Sequence, residues 1–125
     1  MKYANGKRIL VVEDEPSISK VCARILTADG ATVVLAADGQ IAQDMLGKDK
    51  YDLCLFDIRT PRMNGMELYE YVQQEYPELA DKVVFTTGDV LSHNIEVFLE
   101  EAKRPYLPKP FTPDELRKVV RKALN

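Results

Sequence analysis

Ile9-Leu10-Val11-Val12-Glu13-Asp14-Glu15-Pro16 is the stretch that decides the fold. Four consecutive apolar residues, without polar alternation, suit a strand covered on both faces. Acidic residues end the run, and Pro16 suits the first turn of a helix, where its missing N–H is no loss. Beyond it, Ile18, Val21, Cys22, Ile25 and Leu26 recur at the spacing of a helix packed on one face. Gly30 is placed to end that helix.

The same unit repeats along the chain. Thr32-Val33-Val34-Leu35 reads as a second strand, and Ile41, Ala42, Met45 and Leu46 mark a second helix stopped near Gly47. Leu53-Cys54-Leu55-Phe56 is a third strand. Leu68, Tyr71 and Val72 predict a third helix closed by Pro77, and Val83-Val84-Phe85-Thr86 a fourth strand. Ser92 is a candidate cap for a helix carrying Ile95, Phe98, Leu99 and Ala102. Tyr106-Leu107 is a short fifth strand between Pro105 and Pro108; since proline cannot donate to a sheet ladder, it belongs at an edge. Thr112-Pro113-Asp114-Glu115 is a capping box with proline at the first helical position. Leu116, Val119, Val120, Ala123 and Leu124 fill the helix that follows. Strict strand–helix alternation over five units implies an α/β class, a doubly wound (βα)5 parallel sheet with helices on both faces. The alternation leaves strand order open.

A chain of 125 residues fits one domain, 1–125, with a core over 8–124. With 46% hydrophobic and 30% charged residues it can build one ordinary core. Lys plus Arg is 17 and Asp plus Glu 20, a net charge of −3, which argues against direct nucleic-acid binding. No apolar run approaches the about 18 residues of a membrane span, so no membrane insertion is expected. The first residues, Met1-Lys2-Tyr3-Ala4-Asn5-Gly6-Lys7, lack the apolar core of a signal peptide. Cys22 and Cys54 both lie in apolar runs and read as small buried hydrophobes in a reducing compartment, giving a cytoplasmic expectation.

Open α/β sheets bind ligands beyond the carboxyl ends of their strands. There the first strand offers Glu13-Asp14, the third Asp57, the fourth Thr86-Thr87-Gly88 and the fifth Lys109-Pro110. Crowded carboxylates repel and stay ionised only with a cation among them. An all-oxygen donor set without thiol or imidazole selects Mg²⁺ before Zn²⁺. Three carboxylates against one divalent ion and one lysine are near neutral, ready for a phosphoryl oxygen. An aspartate is a known nucleophile for phosphoryl transfer, and the rest would be positioning and charge neutralisation.

From Arg8 through Leu124 the chain resembles a response regulator receiver domain. The resemblance rests on Glu13-Asp14, on Asp57 followed by Pro61 and Gly65, on Thr87-Gly88, and on Tyr106 three residues before Lys109-Pro110-Phe111. It implies a flavodoxin-like fold with strand order 2-1-3-4-5, an order for which a member of this family is a standard example. It makes Asp57 the phosphoacceptor. Asp14, Asp57 and the backbone carbonyl of Arg59 would hold Mg²⁺ directly, and Glu13 through a water. Thr87 and Lys109 would contact the phosphoryl group, and Tyr106 would be the aromatic that turns inward when Thr87 moves. It implies a cis peptide at Lys109-Pro110, which an X–Pro bond adopts cheaply. Thr60 stands where the family often has methionine. Thr86 rivals Thr87, which is preferred because a small residue follows it. Arg59 and Asp89 are expected to pair across the mouth of the site and slow hydrolysis.

Some residues are assigned no chemistry. His93, near a helix start, reads as solvated; Glu100-Glu101 and Lys103-Arg104 as a solvated helix end; Met63 and Met66 as packing. For Tyr106, a half-buried core residue competes with the switch. Two other functions compete with the receiver: a Mg²⁺-dependent phosphatase working through an aspartyl-phosphate on an external substrate, and a receiver-like binding module that no longer takes phosphate. The implied partners are a histidine kinase or histidine phosphotransfer domain and an unidentified downstream output domain or protein. A phosphorylation-dependent homodimer stays open. The stretches Thr87-Gly88-Asp89-Val90-Leu91-Ser92 and Arg104 to Phe111 are also similar to receivers fused behind histidine kinases.

Overall fold

The computed structural model describes residues 2–88 and 92–125. Five strands, β1 (Arg8–Val12), β2 (Thr32–Ala36), β3 (Leu53–Asp57), β4 (Val83–Thr87) and β5 (Tyr106–Pro108), form one sheet in the order β2-β1-β3-β4-β5. All four pairings are parallel. This is the expected order, with β5 at an edge. The helices are α1 (Pro16–Ala28), α2 (Gly39–Leu46), α3 (Gly65–Glu75), α4 (Pro77–Ala80), α5 (His93–Ala102) and α6 (Pro113–Leu124).

The continuous apolar runs are explained by two cores, one on each face of the sheet. Leu10, Val12, Cys54, Phe56, Val83 and Phe85 point towards α2, α3 and α5. Their neighbours Ile9, Val11, Leu53, Leu55 and Val84 point the other way, into a core shared with α1 and α6. Residues on β1 and β3 are therefore buried whichever face they serve. The capping box at α6 forms as expected: Thr112 Oγ accepts from the Glu115 N–H and the Thr112 N–H donates to the Glu115 carboxylate.

Five details differ from the periodicity-based reading. Pro77 does not simply close the third helix; it occupies the first turn of α4, where its fixed φ fits. Val21, expected on the buried stripe of α1, is 42% exposed, and Ser19 is buried instead with its hydroxyl on the Pro16 carbonyl. On α3 the residue most enclosed beside Leu68 and Val72 is Tyr69 rather than Tyr71; its ring meets Phe85 and Phe98 edge-on. Ser92 precedes α5 without a side-chain capping bond. Arg104 is not simply solvated, because its Nε donates to the Val83 carbonyl and ties the entry of β5 to the start of β4.

Candidate functional site

The carboxyl ends of β1, β3, β4 and β5 meet at one rim. β1 ends at Val12, and Glu13 follows with its N–H still bonded to the Ala36 carbonyl, so the strand holds the acid in register. Asp57 is the last residue of β3, and its main chain is boxed in by Gly65 at the start of α3. A Cβ on Gly65 would lie 2.6 Å from the Asp57 carbonyl oxygen, so only glycine lets α3 begin this close. Lys109 follows β5, its N–H bonded to the Thr87 carbonyl at 2.8 Å and its bond to Pro110 cis, as the resemblance implied.

These placements bring the side chains together. Lys109 Nζ lies 2.6 Å from Glu13 Oε1 and 3.1 Å from Asp57 Oδ2. The Arg59 N–H faces Asp57 Oδ1 at 3.3 Å, and the Glu15 N–H faces Glu13 Oε2 at 3.2 Å. Glu13 and Asp57 are each only 5% exposed. Burial pushes the Glu13 carboxyl up; the Lys109 hydrogen bond opposes this and the Asp57 charge adds to it, leaving it at about 7. Burial works against the Lys109 ammonium, but its bonds to both acids outweigh that and hold its pKa above the ordinary lysine value.

Glu13, Asp14 and Asp57 each bring a carboxylate oxygen within 4.8 Å of the others, Asp14 being the exposed member. The donors are all hard oxygens. Cys22, the nearby thiol, is pushed up to about 11 by burial and by the Glu13 charge, so it offers no thiolate. This set fits a hard divalent cation, as expected. With all three acids ionised, two excess negative charges remain after Lys109 is counted, the number such an ion neutralises.

The other expected site residues fall as follows. The β3–β4 register sets Thr86, not Thr87, opposite Asp57; Thr87 lies one residue further, at the end of β4, and both are buried. Tyr106 is 45% exposed on β5, so it is no core tyrosine. His93 is exposed, and Met63 and Met66 pack against the core as expected. Asp89, the expected partner of Arg59, lies outside the described residues with Val90 and Leu91. Sequence reasoning missed the contact of Gly39 with Met63, where a Cβ on Gly39 would lie 2.0 Å from the Met63 carbonyl oxygen. No local signal reports it, because it joins two separate loops. Among the described residues no helix is long and apolar enough to cross a membrane.

A family model described as the response regulator receiver domain matches residues 9–121. Response regulator MprA of Mycolicibacterium vanbaalenii is 33% identical over 118 residues, 94% of this chain and 50% of that protein. The chain spans about half or less of the length of the curated relatives it matches. The crystal structure of a CheY-like response regulator receiver domain protein from Methanospirillum hungatei is 32% identical, with a TM-score of 0.85 covering 94% of this chain and 93% of that one. The receiver domain of sensor histidine kinase PA1611 from Pseudomonas aeruginosa, solved with magnesium coordinated in its active-site cleft, is 28% identical; its TM-score is 0.84, over 95% of this chain and 98% of that one. Sheet order, clustered acids and a family match along nearly the whole length agree: the chain belongs to the response regulator receiver domain family of two-component signalling.

Proposed function

We propose that this receiver accepts a phosphoryl group on Asp57 with Mg²⁺ beside it, and acts as a switch phosphorylated stoichiometrically rather than as an enzyme on an external substrate. The observation that carries the proposal is Lys109 Nζ bridging Glu13 and Asp57 at 2.6 and 3.1 Å, beside three carboxylates able to share one ion. Asp14, Asp57 and the Arg59 carbonyl would hold the ion directly, with Glu13 acting through a water. When bound, Mg²⁺ neutralises charge on the acids and on the incoming phosphoryl oxygens.

Asp57 attacks the phosphorus of a phosphohistidine on a histidine kinase or phosphotransfer domain. An O–P bond forms, the N–P bond breaks, and the imidazole leaves with the bonding pair and takes up a proton. Lys109 is already within reach of Asp57 and would turn one N–H to a phosphoryl oxygen, while a threonine hydroxyl, that of Thr87, takes another. Thr87 and Tyr106 would then report the change to the β4–β5 side of the domain. Hydrolysis reverses the charge state: water attacks phosphorus, inorganic phosphate departs and the Asp57 carboxylate is regenerated. Arg59 would flank the approach of that water in this reading. The readout is an output domain or protein, with a phosphorylation-dependent homodimer as one form. Two buried free cysteines suit a reducing, cytoplasmic setting.

The test is incubation with Mg²⁺ and acetyl phosphate, read by intact mass. One base-labile phosphoryl group should appear on the wild type and none on Asp57→Asn. Labelling of Asp57→Asn, or continuous turnover of a small phosphoester, would overturn the switch.

A further inference from the structure

The loop between β3 and α3 leaves Asp57 and returns to it within eight residues, the Gly65 N–H bonding to the Ile58 carbonyl at 2.9 Å. Within this loop Thr60 is 7% exposed, and its hydroxyl donates to the Met63 carbonyl at 2.9 Å. That same carbonyl oxygen is pressed against Gly39, the first residue of α2, so closely that no Cβ could stand there. Asp38, just before Gly39, accepts the Ile41 N–H at 2.8 Å to cap α2 and faces Arg62 Nε at 3.7 Å. Arg62 itself adopts φ 67°, a left-handed conformation that a non-glycine residue holds only when its surroundings impose it. The loop is therefore clasped at its middle: Thr60 holds the Met63 carbonyl from inside, and the α2 start holds it from outside.

The clasp lies next to the atoms that matter. The Arg59 carbonyl and the Thr60 N–H share one rigid peptide plane. Its orientation depends on two rotations, ψ of Arg59 and φ of Thr60. Both flanks of that plane are anchored: before it the Arg59 N–H faces the Asp57 carboxylate, and after it the buried Thr60 side chain has its hydroxyl tied down, so the two rotations can change only together. From this geometry we infer that Thr60 is a positioning residue that aims the Arg59 carbonyl at the metal position, through its bond to Met63 and the backing of Gly39. A methionine at this position could fill space but could not donate that hydrogen bond.

The inference rests on the proposed Mg²⁺ role, and the experiment separates the two. Mg²⁺ titrations followed by NMR would compare wild type, Thr60→Ser and Thr60→Val, reading the dissociation constant and the shift of the Arg59 carbonyl carbon. Groups that orient a metal ligand typically cost about 10- to 100-fold in affinity when removed. Thr60→Val, which keeps the shape and loses the donor, should weaken Mg²⁺ about tenfold and shrink the Arg59 carbon response. Thr60→Ser should stay within about twofold of wild type, because it keeps the hydroxyl and its bond to Met63. Wild-type affinity in Thr60→Val, or equal losses in both variants, overturns the positioning role while leaving the Mg²⁺ site standing. Failure of the wild type to bind Mg²⁺ overturns both. Amide spectra of residues on α6, which packs in the core on the other face of the sheet, certify that each variant is folded, and Thr60→Ala supplies a second donor-free variant should Thr60→Val not fold.

Discussion

Lys109 Nζ stands 3.1 Å from Asp57 Oδ2, so the single ammonium of the site is already committed to the proposed phosphoacceptor. Its second bond, to Glu13 at 2.6 Å, means that Lys109→Met would leave two buried carboxylates facing each other. Removing one side of a buried ion pair costs about 3 kcal/mol. Urea denaturation at pH 8 without metal should show a loss of that order, and saturating Mg²⁺ should recover part of it. A loss below about 0.5 kcal/mol would mean that the lysine is a solvated bystander.

Glu13 supplies a pH dependence. Its folded carboxyl titrates at about 7, whereas an unfolded glutamate titrates near about 4.3. Between those values the folded chain holds a proton that the unfolded chain has lost. This contribution to stability is therefore present at low pH and disappears as pH rises towards 7. Metal binding runs the opposite way, because it requires the ionised acid. Mg²⁺ affinity should rise about tenfold from pH 6 to pH 8, following the ionised fraction of a group titrating near 7. A flat profile from NMR titrations would show that Glu13 does not titrate in this range.

Gly65→Ala places a methyl 2.6 Å from the Asp57 carbonyl and 2.9 Å from the Ile58 Cα. Both obstacles are backbone, so neither can swing aside. Overpacking of this kind costs about 2 kcal/mol, and here it would act on the main chain that aims Asp57. Urea midpoints should fall, and phosphoryl incorporation from acetyl phosphate should slow at the same protein concentration. Unchanged incorporation would mean that α3 can back away from β3.

On α1, two residues that the apolar spacing treats alike should behave differently. Ile25 is 8% exposed and Val21 42%. Ile25→Ala should cost about 3 kcal/mol by emptying part of a core. Val21→Ser should stay within about 0.5 kcal/mol. Equal losses in thermal or urea denaturation would put Val21 back in the core.

That pair also marks how far the sequence can be read. The strands were legible because β1, β3 and β4 are covered on both sides, so burial writes itself as unbroken runs such as Ile9 to Val12. The start of α6 was legible because Thr112 and Glu115 are local partners. The rim acids and Lys109 could be found by asking what stands at strand ends, since a parallel sheet brings all those ends together. Spacing alone could not say that Val21 sits beyond the reach of the sheet while Ser19 turns in. Nor could it tell Tyr69 from Tyr71, because the choice depends on where Phe85 and Phe98 lie. The Thr60–Met63–Gly39 clasp is a contact between loops about twenty residues apart, and no local pattern encodes it.

The outer border of β5 carries a further consequence. Lys109 turns its N–H inward to Thr87, and the Pro105 carbonyl accepts inward from Phe85. By alternation the main chain of Tyr106 and Pro108 faces outward, and Pro108 has no hydrogen to give. Over its three residues this border offers one donor, the Tyr106 N–H. A strand added by another chain would therefore find one main-chain donor to pair with, which makes this a poor edge for prolonging the sheet. Whatever meets this side gains more from side chains than from main chain, and the exposed Tyr106 stands among them.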